Sequence, residues 1–181
     1  YAQIQEKIGN NYTIAIISDK DTNQTNEALK ETKADITIIN KLDRQTITFS
    51  DKILFDSGSS RLKQAGYQAL AAVGPVIKDN IENISEIQIQ GHADIDYTDE
   101  FNLGLSANRA ISVYMFLQHT VGIDPAEHLM SATSFGKYKP VGRDVISDFN
   151  LEQLKQANAT EELKARNRRI EIVLFYKNEM K

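Results

Sequence analysis

Gly91-His92-Ala93-Asp94-Ile95-Asp96-Tyr97-Thr98-Asp99-Glu100-Phe101-Asn102-Leu103-Gly104-Leu105-Ser106-Ala107-Asn108-Arg109-Ala110, continuing to Leu117, is the stretch whose reading decides the fold. Just before it, Glu86-Ile87-Gln88-Ile89-Gln90 alternates polar and apolar residues, the period of a strand with one face in a core. A short polar loop follows. From there the spacing changes to that of a helix: Asn102, Leu105, Ser106, Arg109, Ala110, Val113 and Leu117 fall in one arc at about 100° per residue. A strand therefore turns a corner into an amphipathic helix, and the polar residues gather at that corner.

Arg109 lies inside the apolar arc, between Leu105 and Val113. A guanidinium there loses solvation worth several kcal/mol unless an acceptor meets it. Asp94, at the mouth of the strand, is the nearest upstream carboxylate before the helix, so an Asp94–Arg109 pair is expected. A cation and an anion side by side at a cleft edge, near the N–H groups of a helix start, suit a zwitterion. The same pattern also fits a snorkelling arginine or a structural ion pair, and the spacing alone leaves both readings open.

Three separated motifs, Gly91-His92-Ala93-Asp94, then Asn102 with Leu105-Ser106-x-x-Arg109-Ala110, and Asn167-Arg168-Arg169-Ile170-Glu171-Ile172, resemble the signature of OmpA-like domains. These are the peptidoglycan-binding modules of outer-membrane OmpA, the Pal lipoprotein and MotB-type stator proteins. The resemblance covers roughly residues 45–176. It implies that Asp94 and Arg109 grip the diaminopimelate side chain of the cell-wall stem peptide, Asp94 taking the ammonium and Arg109 the carboxylate. By the same resemblance Asn102 orients the loop or the ligand, Asp56 borders the groove, and Arg168 is a candidate for its wall. Asp56 is equally well read as an Asx turn before Ser57 and Gly58. Tyr97 stands where many members have glycine, three residues after the Asp, a departure that bears on the loop's conformation and its ligand preference.

With 181 residues, 41% of them hydrophobic, the chain is long enough for one ordinary domain and an appendage. The 21 basic residues are outnumbered by 25 acidic ones, a net charge of −4, so no basic surplus is available for nucleic acid. Cysteine is absent, which excludes a disulfide framework and thiolate chemistry. No stretch approaches the roughly 20 apolar residues of a membrane span. The sequence starts at Tyr1 without an initiator Met, so any anchor or export signal is expected upstream of it.

Along the chain, residues 1–9 read as a short helix, 12–17 as a β-branched run, and 19–33 as a polar loop entering a short helix at 27–31. Residues 35–40 and 45–50 form a predicted hairpin across Lys41 to Arg44. After Ile53-Leu54-Phe55 and the loop 56–60, residues 62–78 carry a helical stripe in which Pro75 is a candidate break. Residues 129–135 and 169–176 are predicted strands, and 147–165 an inserted or extended helix. The expected fold is α+β: a two-layer sandwich with a βαβαβ core, a small mixed β-sheet with helices on one face. Residues 1–44 would be an extension or linker and 45–181 the OmpA-like domain, with an insertion at about 143–166.

Catalytic readings fail on spacing. His92, His119 and His128 form no zinc-binding pair such as His-x-x-x-His, and His92, Asp94 and Ser106 lack a nucleophile elbow. The acids near Asp94 are local enough to be loop and helix-start charges rather than a glycosidase pair. The expectation is a non-catalytic module without cofactor or metal that binds peptidoglycan through Asp94, Arg109, Asn102, Asp56 and Arg168. It would be periplasmic and dimeric, with a membrane partner subunit, tethering a motor stator to the wall. The alternatives are a Pal- or OmpA-type tether, or a protein-interaction domain that keeps the fold without the ligand.

Overall fold

The computed structural model describes residues 12–18, 27–29 and 33–177; the expected helix at residues 1–9 lies outside them, as does most of the 19–33 loop. Six strands form one mixed sheet: β1 (Ile14–Ser18), β2 (Ile36–Asn40), β3 (Arg44–Ser50), β4 (Ile84–His92), β5 (Met130–Gly136) and β6 (Arg169–Tyr176). Their spatial order is β1-β2-β3-β6-β4-β5. β1 lies parallel to β2 and β4 parallel to β5; the other neighbours are antiparallel. β2 and β3 make the expected hairpin, so β1 and β2 extend the same sheet, and a boundary after residue 44 passes through hydrogen-bonded strands.

Period-two burial builds the core face. Ile36 and Ile38, Ile47 and Phe49, Ile87 and Ile89, and Ile170, Ile172 and Leu174 point to one side of the sheet and are almost fully enclosed. Two helices cover that side. The first carries Ala69, Leu70, Val73 and Ile77 into the core, and the second Ala110 and Val113. They are α2 (Gln64–Asp79), which follows the short α1 (Asp51–Leu54), and α3 (Asp99–Met115). This is the expected two-layer α+β arrangement.

Local chemistry sets the helix ends. α3 begins at Thr98, whose side chain accepts from Phe101 N–H at 3.2 Å, with Asp99 and Glu100 in its first turn. It continues as a π-helical segment, Phe116–Val121, and stops at Gly122, whose φ of 83° is the left-handed cap. α2 runs past Pro75 to Asp79; burial of Val76 and Ile77 beyond the proline outweighs its helix-interior cost of about 3 kcal/mol. Residues 51–54, to which the sequence pattern assigns no element, form a short helix, and the 147–165 region, expected as one inserted or extended helix, is two short helices, α4 (Leu151–Gln156) and α5 (Glu161–Asn167), separated at residues 157–160. Asn150 closes a capping box with Gln153, and Thr160 caps α5 by accepting from Leu163 N–H, so each helix has its own start signal.

Candidate functional site

The cleft lies where three strand ends meet. β6 is antiparallel to both β3 and β4 and sits between them, with Ser50 opposite Arg169 and His92 opposite Arg169 from the other side. The residue after β3, the residue before β6 and the loop after β4 therefore share one edge of the sheet. Those positions hold Asp51, Arg168 and Asp94. Gly91 lets α3 close over this edge, because a Cβ there would stand 2.1 Å from the Ser106 carbonyl oxygen. The resulting cleft has a volume of about 450 Å³ and is open to solvent.

Asp94, Asn102, Arg109, Arg168 and Asp56, the five residues singled out in the sequence, all line this cleft. The expected direct pairing of Asp94 with Arg109 does not occur. Asp94 Oδ2 instead accepts from Arg168 Nη1 at 2.5 Å, and its Oδ1 accepts from Asp96 N–H at 2.8 Å. Arg109 Nη1 donates to Asp51 Oδ2 at 3.3 Å. Arg168 Nε lies 3.7 Å from the same Asp51 oxygen. The site is an alternating row, Asp94, Arg168, Asp51, Arg109, with two carboxylates and two guanidiniums. Sequence reasoning missed Asp51 because it sits 58 residues from Arg109 and no local pattern links them. Its only signal was its place directly after a strand that ends beside the Asn-Arg-Arg motif.

Arg109 is buried, as its place inside the apolar arc implies: 7% of it is exposed. Nε donates to the Ser59 carbonyl at 2.8 Å and Nη2 to the Asp56 carbonyl at 3.2 Å, with the guanidinium 5.0 Å over the Phe55 ring. Burial pulls its pKa below the ordinary arginine value, with Asp51 acting against the shift and Arg168 adding to it. At Arg168 burial likewise opposes the charge, but the Asp94 hydrogen bond and the Asp51 charge outweigh it and hold its pKa above the ordinary value. Asp56 reaches Arg109 through its backbone carbonyl; its side chain is exposed at the rim.

Asn102 holds the loop. Its Nδ2 donates to the Asp96 carbonyl at 2.6 Å and the Asp94 carbonyl at 3.4 Å. The insertion braces the same loop from the other side. Asn158 Oδ1 accepts from Ile95 N–H at 3.1 Å and from Asn167 Nδ2 at 2.9 Å, and Lys164 pairs with Asp96 at 3.1 Å. Tyr97 takes the glycine-like conformation outright, with a φ of 68°, and leaves its ring 78% exposed at the rim against Phe101. A side chain in this conformation costs strain of about 1 kcal/mol or more.

Beside the cleft, His92 Nε2 lies 3.0 Å from Glu171 Oε2 and 3.1 Å from Gln90 Oε1, its ring stacked on Phe135. Burial, then the charge of Arg169, pushes its pKa down to about 4. For Glu171 burial acts upward, but Arg169, His92 and Lys139 together hold it well below the usual carboxylate range. Among the described residues no group of three or more His, Asp or Glu side chains is placed to hold a metal ion. Nor is any described helix long and apolar enough to cross a membrane.

The model of the OmpA family matches residues 54–150, more than half of the chain. The chain belongs to the OmpA family. It is 33% identical over 96 residues to a peptidoglycan-associated lipoprotein of Mesorhizobium japonicum, an alignment covering 53% of this chain and 54% of the relative. It is 30% identical over 132 residues to the lipoprotein YiaD of Escherichia coli, covering 73% and 52%. The chain thus spans about half the length of the curated relatives it matches. Among solved structures, a MotB-like protein from Desulfovibrio vulgaris superposes with a TM-score of 0.61 at 23% identity, over 87% of this chain and 88% of that one. The cell wall anchor of the T6SS from Pseudomonas aeruginosa gives 0.59 at 24%, over 79% and 89%. At these identities the likeness is one of fold. The matched span holds part of the cleft: Asp56, Asp94, Asn102 and Arg109 lie within it, and Asp51 and Arg168 lie outside it.

Proposed function

We propose that this OmpA-family domain binds peptidoglycan without catalysis and fixes its parent protein to the cell wall, with the diaminopimelate end of the stem peptide in the cleft. The observation that carries this reading is the row of two carboxylates and two guanidiniums on the floor of an open cleft. Such a row alternates acceptors and donors, so it offers a carboxylate to an ammonium and a guanidinium to a carboxylate. Asp94 takes the ammonium, because each of its oxygens accepts one hydrogen bond and retains a second lone pair. Arg109 takes the carboxylate, because three of its five N–H donors are engaged and two remain. Each charge-assisted contact is worth about 1.5 to 3 kcal/mol, so one gripped moiety supports micromolar-class recognition at most.

Arg168 acts as the hinge of the row, holding Asp94 and Asp51 at once, and Asn102 fixes the loop rather than the ligand. In this reading the domain works in the periplasm as part of a membrane-anchored protein. A motor stator, dimeric and with a membrane partner subunit, is the favoured parent; a Pal- or OmpA-type tether is the alternative.

Sedimentation with purified diaminopimelate-type sacculi tests the proposal, comparing the native chain with Asp94→Ala and Arg109→Ala, each verified as folded by circular dichroism. Native protein in the pellet and both folded variants in the supernatant are expected. If all three distribute alike, the row is structural and the cleft is not a wall-binding site.

A further inference from the structure

A second cavity of about 200 Å³ lies on the opposite face of the sheet, and its charge runs against that of the whole chain. The protein carries a net charge of −4, yet Lys41, Arg44, Lys139, Arg143, Arg166 and Arg169 line this cavity with only Asp35 and Glu171 as carboxylates. Strand alternation explains how the two sites stay separate. Arg168 turns to the Asp94 cleft, and Arg169, one residue on, turns to the reverse face.

Arg44 is paired with Asp43 at 2.9 Å and Arg143 donates to the Tyr138 carbonyl, but Arg169, Arg166 and Lys139 are incompletely matched. Arg169, only 5% exposed, spends Nη1 on the Asn167 carbonyl and Nη2 on the Lys139 carbonyl, and its Nε lies 3.4 Å from Glu171 without a hydrogen bond. Glu171 is shared with His92. Lys139 has its ammonium over the Phe135 ring at 4.6 Å and no ion pair among the described residues. Burial, then the charges of Arg169, Arg44 and Lys41, lowers the pKa of Lys139, with Glu171 resisting. Six buried side-chain polar atoms among the described residues lack a hydrogen bond, and four of them, Thr48 Oγ1, Ser50 Oγ, Arg166 Nε and Arg169 Nε, belong to the walls of this one cavity. All four are able to donate. A wall of unmatched donors and buried cations costs stability until an acceptor enters.

The geometry points to this cavity as a second ligand site, for a compact oxyanion: a phosphate or carboxylate group seated between Lys139, Arg166 and Arg169. Lys139 and Arg166 supply the open side of the seat and the hydroxyls of Thr48 and Ser50 its floor. Glu171, kept ionised by Arg169, holds that arginine in place and repels an anion seated too deep. The site is independent of peptidoglycan binding, since it shares none of the Asp94, Arg168, Asp51, Arg109 row.

Amide NMR titration of the whole chain tests this, with sodium phosphate, sodium succinate and sodium chloride at matched ionic strength. Saturable shifts at Thr48, Val141 and Arg166 are expected with phosphate or succinate and not with chloride. The arm that saturates at lower concentration tells a phosphoryl from a carboxylate ligand. Lys139→Gln and Arg166→Gln should each weaken the apparent affinity at least ten-fold, Arg166→Lys should restore part of it, and Asp94→Ala should leave it unchanged. Spectral dispersion in the same experiment verifies that each variant is folded. The inference is overturned if neither oxyanion saturates, if the glutamine variants bind as the native chain does, or if Asp94→Ala abolishes the shifts.

Discussion

His92 gives the protein a built-in acid sensitivity whose size follows from its surroundings. The ring, carried by β4, stacks on Phe135 of β5 and faces Glu171 and Arg169 on β6, Gln90 on its own strand and Lys139 beyond β5. Its pKa falls from 6.5 to about 4 on folding, burial being the largest cause and Arg169 the next. Between those values the unfolded chain binds a proton that the native state refuses. Stability therefore declines as pH falls through this window, by about 1.4 kcal/mol per pH unit at most. From pH 7 to pH 4.5 the loss due to this one group is about 2 kcal/mol. Glu171, whose folded pKa is depressed, contributes stability that is present above its unfolded value of 4.5 and lost as pH falls below it, so it adds little within the window. Urea unfolding of the native chain and of His92→Gln at pH 7, 6, 5 and 4.5 isolates the effect. The native advantage over the variant should shrink by about 2 kcal/mol across the series. Parallel curves for the two proteins would refute the assignment of a buried, neutral histidine.

Other perturbations follow from the same geometry. Gly91→Ala drives a Cβ into the Ser106 carbonyl, which is backbone and yields little, so a loss of about 1 to 3 kcal/mol in urea is expected together with weaker sedimentation with sacculi, as α3 moves away from β4. Tyr97→Gly removes the strain of a φ of 68° and should raise stability by up to about 1 kcal/mol; a lower melting temperature would mean that the Tyr97–Phe101 contact outweighs the strain. Asn158→Ala deletes the bracket on Ile95 N–H and should cost about 1 to 3 kcal/mol while increasing amide hydrogen exchange in residues 93–98, with the sheet amides unchanged.

Local sequence fixes what depends on one element at a time. The alternation through Ile87 and Ile89 marked a strand, and the arc from Asn102 to Leu117 marked a helix with Arg109 on its buried side, because burial periodicity is a property of a strand or helix by itself. The caps that start α3, α4 and α5, Thr98, Asn150 and Thr160, are not among the sequence readings, and the 147–165 region, expected as one helix, splits where Thr160 caps a second one. The partner of Arg109 was not legible. Asp94 is close in sequence, yet a buried charge is matched by whatever the fold brings to it. The order β3-β6-β4 brings Asp51 and Arg168 between the two expected partners. Local alternation sends Arg168 and Arg169 to opposite faces, but the strand order gathers dispersed cations of an acidic chain around one cavity. Strand order is decided by long-range pairing of the whole core, so the residues it juxtaposes at a sheet edge have no spacing in the sequence by which to be found.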